Sequence, residues 1–98
     1  MFEIDNDLEI VVYTTPTCGP CKALKPELIK LQEIYQFRMR FVELSELTKA
    51  TFAMMGIRSA PTVACVNGEK TIGVTVGAKS AAVMYEQFVA WGLIREAS

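Results

Sequence analysis

Histidine is absent from these 98 residues. With it go every His-based catalytic dyad and every imidazole metal ligand. Cysteine is scarce: there are three, a number that argues for catalysis, metal binding or plain core use over a structural disulfide framework. No apolar run approaches the length needed to cross a bilayer, so no membrane association is expected. Lys and Arg total 10 against 11 Asp and Glu, a net charge of −1. They form no long basic run, and nucleic acid is not an expected partner. The segment Met1-Phe2-Glu3-Ile4-Asp5-Asn6-Asp7 lacks the basic start and apolar core of a secretory signal, and a cytoplasmic address is the expectation. An apolar share of 51% without low-complexity tracts predicts one compact domain over residues 1–98.

What is present is organised around Thr15-Pro16-Thr17-Cys18-Gly19-Pro20-Cys21-Lys22. Before it, Leu8-Glu9-Ile10-Val11-Val12-Tyr13 is rich in β-branched and aromatic residues and reads as a strand. After it, Leu24, Leu28, Leu31 and Tyr35 recur at helical spacing, predicting a helix from about Cys18 to Tyr35. Pro20 suits a first turn, where its missing N–H has no partner anyway. Pro26 lies inside the helix and is expected to kink it, at a cost of about 3 kcal/mol, or to split it in two. Arg38 to Leu44 alternate as a second strand. Ser45 can cap a short helix reaching Met54 or Met55, where packing is expected, with Gly56 as its left-handed end. Thr62 to Val66 form a third strand, and Asn67-Gly68 is a hairpin signal leading into Lys70 to Val76. A last helix from about Ser80 to Trp91 gathers Ala81, Met84, Phe88 and Trp91 on one side. The order β-α-β-α-β-β-α predicts an α/β fold. Its mixed four-stranded sheet has a parallel first pair, a right-handed crossover and helices on both faces.

Residues three apart on a helix bring their β-carbons to roughly 5–6 Å. A disulfide needs about 3.8 Å, so a small adjustment would close a Cys18–Cys21 bridge. A helix N-terminus stabilises a thiolate and lowers a cysteine pKa from about 8.5 into the range of roughly 3.5–7.5. Cys18, at the start, is the candidate nucleophile; Cys21, a turn deeper, is the candidate resolving thiol. Gly19 and Pro20 keep the turn between them small and stiff. Half of a zinc site is the competing reading, but Cys65 alone cannot supply the missing pair of ligands. Cys65 reads as a buried strand residue, with a regulatory thiol as its alternative.

Cys18-Gly19-Pro20-Cys21-Lys22 followed by Pro26 resembles the active-site helix of thioredoxins. Gly56-Ile57-Arg58-Ser59-Ala60-Pro61-Thr62 resembles their second signature, in which the proline is cis and faces the cysteines. Asn67-Gly68-Glu69 and Val76-Gly77-Ala78 match a later hairpin and the glycine beside the substrate groove. The resemblance runs through nearly the whole chain from Leu8. It implies a thioredoxin fold and a thiol–disulfide oxidoreductase, with no cofactor or metal, serving electron transport and cell redox homeostasis. Protein disulfides would be reduced through the redox-active pair Cys18 and Cys21 and a mixed-disulfide intermediate. Thr17, Gly19, Pro20, Ala60, Pro61, Val76 and Gly77 would then form the substrate-binding surface. Disulfide-containing proteins would be the substrates, thioredoxin reductase the electron donor, and the chain a monomer.

The pattern is departed from at three places. Thioredoxins usually carry Trp immediately before the first cysteine and again four residues before it; this chain has Thr17 and Thr14. They usually carry a buried Asp six residues before, thought to help move the resolving thiol's proton; this chain has Val12. Without that Asp or any histidine, water or a carboxylate such as Glu43 is left, and no general base is assigned. Beginning close to its active-site strand, the chain is glutaredoxin-like in length. A glutathione-dependent, glutaredoxin-type reductase is therefore one alternative, with glutathione as runner-up donor. Val76-Gly77-Ala78-Lys79-Ser80 has neither the Gly-Gly pair nor the acidic residue of a glutathione site. A redoxin-fold binding module, or subunit of a larger complex, is the alternative from another class. Its function would survive replacing both Cys18 and Cys21 by Ser.

Overall fold

Four strands of six or seven residues form one sheet, and two capped helices cover one face of it. The structure is a computed structural model describing residues 2–16, 18–43, 53–54, 56 and 59–96. In chain order the elements are β1 (Phe2–Ile4), β2 (Glu9–Thr14), α1 (Gly19–Tyr35), β3 (Arg38–Glu43), β4 (Thr62–Asn67), β5 (Lys70–Val76), α2 (Ala81–Ala90) and β6 (Ile94–Glu96). Of the helix expected from Ser45 to about Met54, only Ala53 and Met54, both helical, are described; the rest, and with it the expected cover on the second face, lies outside the described residues, as do Thr17 and Arg58. Gly56 does adopt φ +81°, its N–H donating to the Ala53 carbonyl at 3.1 Å. Met54, expected to pack, is instead exposed.

The main sheet has the order β3-β2-β4-β5. β2 pairs parallel with β3, from Glu9↔Arg38 to Thr14↔Glu43, and antiparallel with β4, from Glu9↔Val66 to Tyr13↔Thr62. β4 and β5 form a hairpin with a register shift between Cys65 and Val66. Its loop corrects the expected Asn67-Gly68 turn. Asn67 is the last strand residue, paired with Lys70, and Gly68-Glu69 make the connection. Gly68 has φ +60°, the sign that a type II′ turn demands of its first central residue.

α1 runs unbroken through Pro26, so the two-helix alternative does not hold. It ends on Gln36 at φ +57°, whose N–H donates to the Gln32 carbonyl at 2.7 Å. α2 starts on Ser80, whose hydroxyl accepts from Val83 N–H. Ile10 and Val12 of β2 and Val63 and Cys65 of β4 meet Leu24, Leu28 and Leu31 of α1 and Met84 and Phe88 of α2 in one core. Each such side chain contributes about 1.5–3 kcal/mol by leaving water. Val11 and Ala64, on the other face, are buried too.

A second, two-stranded sheet was not expected from the sequence. β1 pairs antiparallel with β6, Phe2↔Glu96 through Ile4↔Ile94. It is seated by Ile94 in the core and by Phe2 set edge-on to Tyr35, ring centroids 4.8 Å apart.

Candidate functional site

Termini of four strands meet at one end of the sheet. Thr14 ends β2 beside Glu43, which ends β3. Across the ladder, Tyr13 pairs with Thr62, which pairs in turn with Val76. The chain leaving β2 turns at once into α1, and the two cysteines stand at that turn.

Cys18 is the N-cap of α1, extended at φ −83° and ψ 108°, and Pro20 occupies its first turn. Cys18 and Cys21 are joined as a disulfide with Cα atoms 5.3 Å apart. The Cys21 backbone N–H donates to Cys18 Sγ at 3.0 Å. No acidic residue sits in the first turn. Negative charge arising on the Cys18 sulfur is thus met by a fixed donor and the positive end of the helix dipole. Both cysteines are largely covered, Cys18 at 9% and Cys21 at 6% exposure, while Gly19 and Pro20 between them are exposed.

On the β4–β5 flank, the Ala60–Pro61 peptide bond is cis. Thr62 Oγ1 donates to the Ser59 carbonyl at 2.6 Å, closing the turn from which β4 departs. Gly77, at φ +98°, donates its N–H to the Pro61 carbonyl at 2.9 Å. That bond brings the two expected groove segments, Ala60–Pro61 and Val76–Gly77, together. The Pro61 ring is buried, whereas Ala60 is half-buried and Val76 exposed. What this flank offers a partner is therefore the Ala60 backbone and the Val76 side chain.

The other flank holds a feature that sequence reasoning missed. Thr14, Thr15, Cys18, Cys21, Lys22, Lys25, Phe41 and Glu43 line a cavity of about 250 Å³. It lies on the β3 side of the cysteines, and among the described residues none of the expected groove residues lines it. Lys25 Nζ stands 5.3 Å from the centroid of the Phe41 ring, a cation–π arrangement. No local motif announces this cavity, because only the parallel β2/β3 register carries Phe41 and Glu43 to the cysteines.

Cys65 is not brought to the pair. It lies fully buried opposite Ile10 in mid-sheet. Burial, and secondarily the Asp5 charge, pushes its thiol up to about 11.

Comparison with known proteins agrees with this geometry. The thioredoxin family model matches residues 3–90. The thioredoxin of Synechocystis sp. is 30% identical over 77 residues, which are 76% of this chain and 72% of that protein. NADPH-dependent thioredoxin reductase 3 of Arabidopsis thaliana is 35% identical over 71 residues, 71% of this chain but only 13% of the relative. Among solved structures, Chlamydomonas reinhardtii thioredoxin f2 superposes with a TM-score of 0.75 at 26% identity, covering 88% of this chain and 81% of that one. The glutaredoxin and binding-module alternatives are not favoured by these matches. The chain belongs to the thioredoxin family, and its paired cysteines make it a thiol–disulfide oxidoreductase.

Proposed function

We propose that the protein reduces disulfides of other proteins, with Cys18 as nucleophile and Cys21 as resolving thiol. The observation that carries this reading is the Cys21 N–H held on Cys18 Sγ at the helix N-cap. The Cys18 thiolate attacks one sulfur of the substrate disulfide, whose S–S bond breaks; the departing thiolate takes up a proton. Cys21, deprotonated, then attacks the Cys18 sulfur of the mixed disulfide. The Cys18–Cys21 bond forms, the second substrate thiolate leaves and is protonated, and the pair has been oxidised as the substrate gained two electrons.

An extended substrate segment would pair with the Ala60 backbone as an added strand, against Gly19, Pro20, Val76 and Gly77, with Thr17 at its border. The ring of Pro61 is buried while Ala60 before it is half-buried, which supports a surface read at Ala60. Thioredoxin reductase is the proposed electron donor, with the chain acting as a monomer in the cytoplasm. The likeness to part of a plant NADPH-dependent thioredoxin reductase supports that donor. Among the described residues no helix is long and apolar enough to cross a membrane.

The test is insulin-disulfide reduction driven by NADPH and thioredoxin reductase, run beside reduction of a small mixed disulfide driven by glutathione. Turnover is expected in the first assay and lost in Cys18→Ser. Turnover with glutathione alone would overturn the choice of donor.

A further inference from the structure

Resolving a mixed disulfide requires Cys21 to lose its proton, and the residue usually charged with accepting it is absent. Val12 lies in the hydrophobic core with 1% exposure, paired across the sheet with Phe41 and Val63. The cavity beside Cys21 supplies what that position lacks. Among its lining residues, Lys22 and Lys25 are cations without a lone pair to offer, and the Thr14 and Thr15 hydroxyls are far too weak as bases at neutral pH. Phe41 is apolar. Among the described lining residues, Glu43 carries the one carboxylate. It ends β3 in register with Thr14, and no ion pair engages it among the described residues. The cavity volume is several times the roughly 30 Å³ share of one water molecule, so water can join carboxylate to thiol.

We propose that Glu43 is the proton acceptor for Cys21, acting through water held in this cavity, which Lys22 and Lys25 also line. The Cys21 S–H proton passes by water to Glu43. The resulting thiolate attacks Cys18 sulfur, the Cys18–Cys21 bond forms, and the bond from Cys18 to the substrate sulfur breaks. Glu43 then returns its proton through the same water to solvent or to the departing thiolate. This inference rests on the roles of Cys18 and Cys21 proposed above.

Reduced protein mixed with excess Ellman's reagent separates the two questions. A fast phase loads Cys18 and releases one thiolate chromophore; a second phase, driven by Cys21, releases another. Buried Cys65 stays out of the count. Glu43→Gln is expected to slow the second phase about tenfold at pH 7, less than the 10²–10⁴ of a directly bonded base because water intervenes. The deficit should shrink toward pH 9–10, where hydroxide removes the proton. Glu43→Ala should be slow as well and accelerate on addition of formate, a rescue that a structural role does not give. Equal second-phase rates in wild type and Glu43→Gln would overturn the proposal. So would a slowing by one factor at every pH without formate rescue. Absence of any second phase in the wild type would overturn the Cys18–Cys21 roles, and this inference with them.

Discussion

The indole of Trp91 occupies the space in which a side chain on Gly73 would begin. A β-carbon built on that glycine overlaps Nε1, Cδ1 and Cε2 of the ring. Trp91 is held there from the other side by Phe88, ring centroids 6.0 Å apart. Gly73→Ala must therefore push the indole off the sheet or bend β5. The expected cost is about 1–3 kcal/mol, a fall in Tm of roughly 4–8 °C for each kcal/mol in a domain of this size. A thermal melt checks it, and an unchanged midpoint would refute the contact.

The same contact fixes what Trp91 reports. Gly73 pairs with Cys65 in mid-sheet, three residues before Val76 at the site end, or roughly 10 Å along a strand. Emission from this single tryptophan is expected to stay almost constant when the Cys18–Cys21 disulfide is reduced. A large change on reduction, with the far-ultraviolet circular dichroism unaltered, would show that the site end and α2 move together.

The three cysteines should differ in reactivity. On treating reduced protein with limiting iodoacetamide near pH 7, peptide mapping is expected to find the label on Cys18 first and none on Cys65 until the protein unfolds. The Cys65 thiol is raised from 9.0 to about 11, chiefly by burial. Its neutral form therefore contributes stability in full below pH 9, and that contribution is lost as pH rises through 11. Labelling of Cys65 at pH 8 in the native state would contradict this.

Placing the family's usual acid at position 12 should be costly here. The Val12 side chain shares its sheet face with Phe41 and Val63, and the cluster around it is apolar. In Val12→Asp, desolvation raises the carboxyl above its unfolded value of about 3.9. The protonated form is tolerated at low pH, and the penalty grows as pH rises toward the folded pKa. Urea unfolding is expected to show a loss of roughly 3 kcal/mol or more at pH 7 and a smaller one at pH 4. Equal losses at both would mean that the new carboxylate finds a partner.

The long elements were legible in the sequence because each repeats a signal. Strand alternation and helical spacing place β2, α1, β3, β4, β5 and α2 within a residue or two of their ends. The two short strands carry no such signal. Phe2–Ile4 and Ile94–Glu96 are each three residues long, too short for a period, and nothing local says that they pair. The cysteines and the cis proline were legible because both are chemical punctuation. The cavity was not: Phe41 reads as an ordinary strand residue and Glu43 as no more than a fallback carboxylate until the parallel register sets both beside α1. Trp91 on Gly73 escaped for the same reason, being a contact between elements rather than a pattern within one.

The strand order β3-β2-β4-β5 gives the cysteines two independent frontiers. On the proposed reading, a polypeptide laid along Ala60 and Val76 would approach from one, with β2 between it and the cavity at Glu43. With the roles proposed above, recognition and proton traffic would be separable variables: side chains around the docking edge could be exchanged to suit a new partner without disturbing how the second thiol is deprotonated, and an acid could migrate from one strand to another without altering which proteins bind.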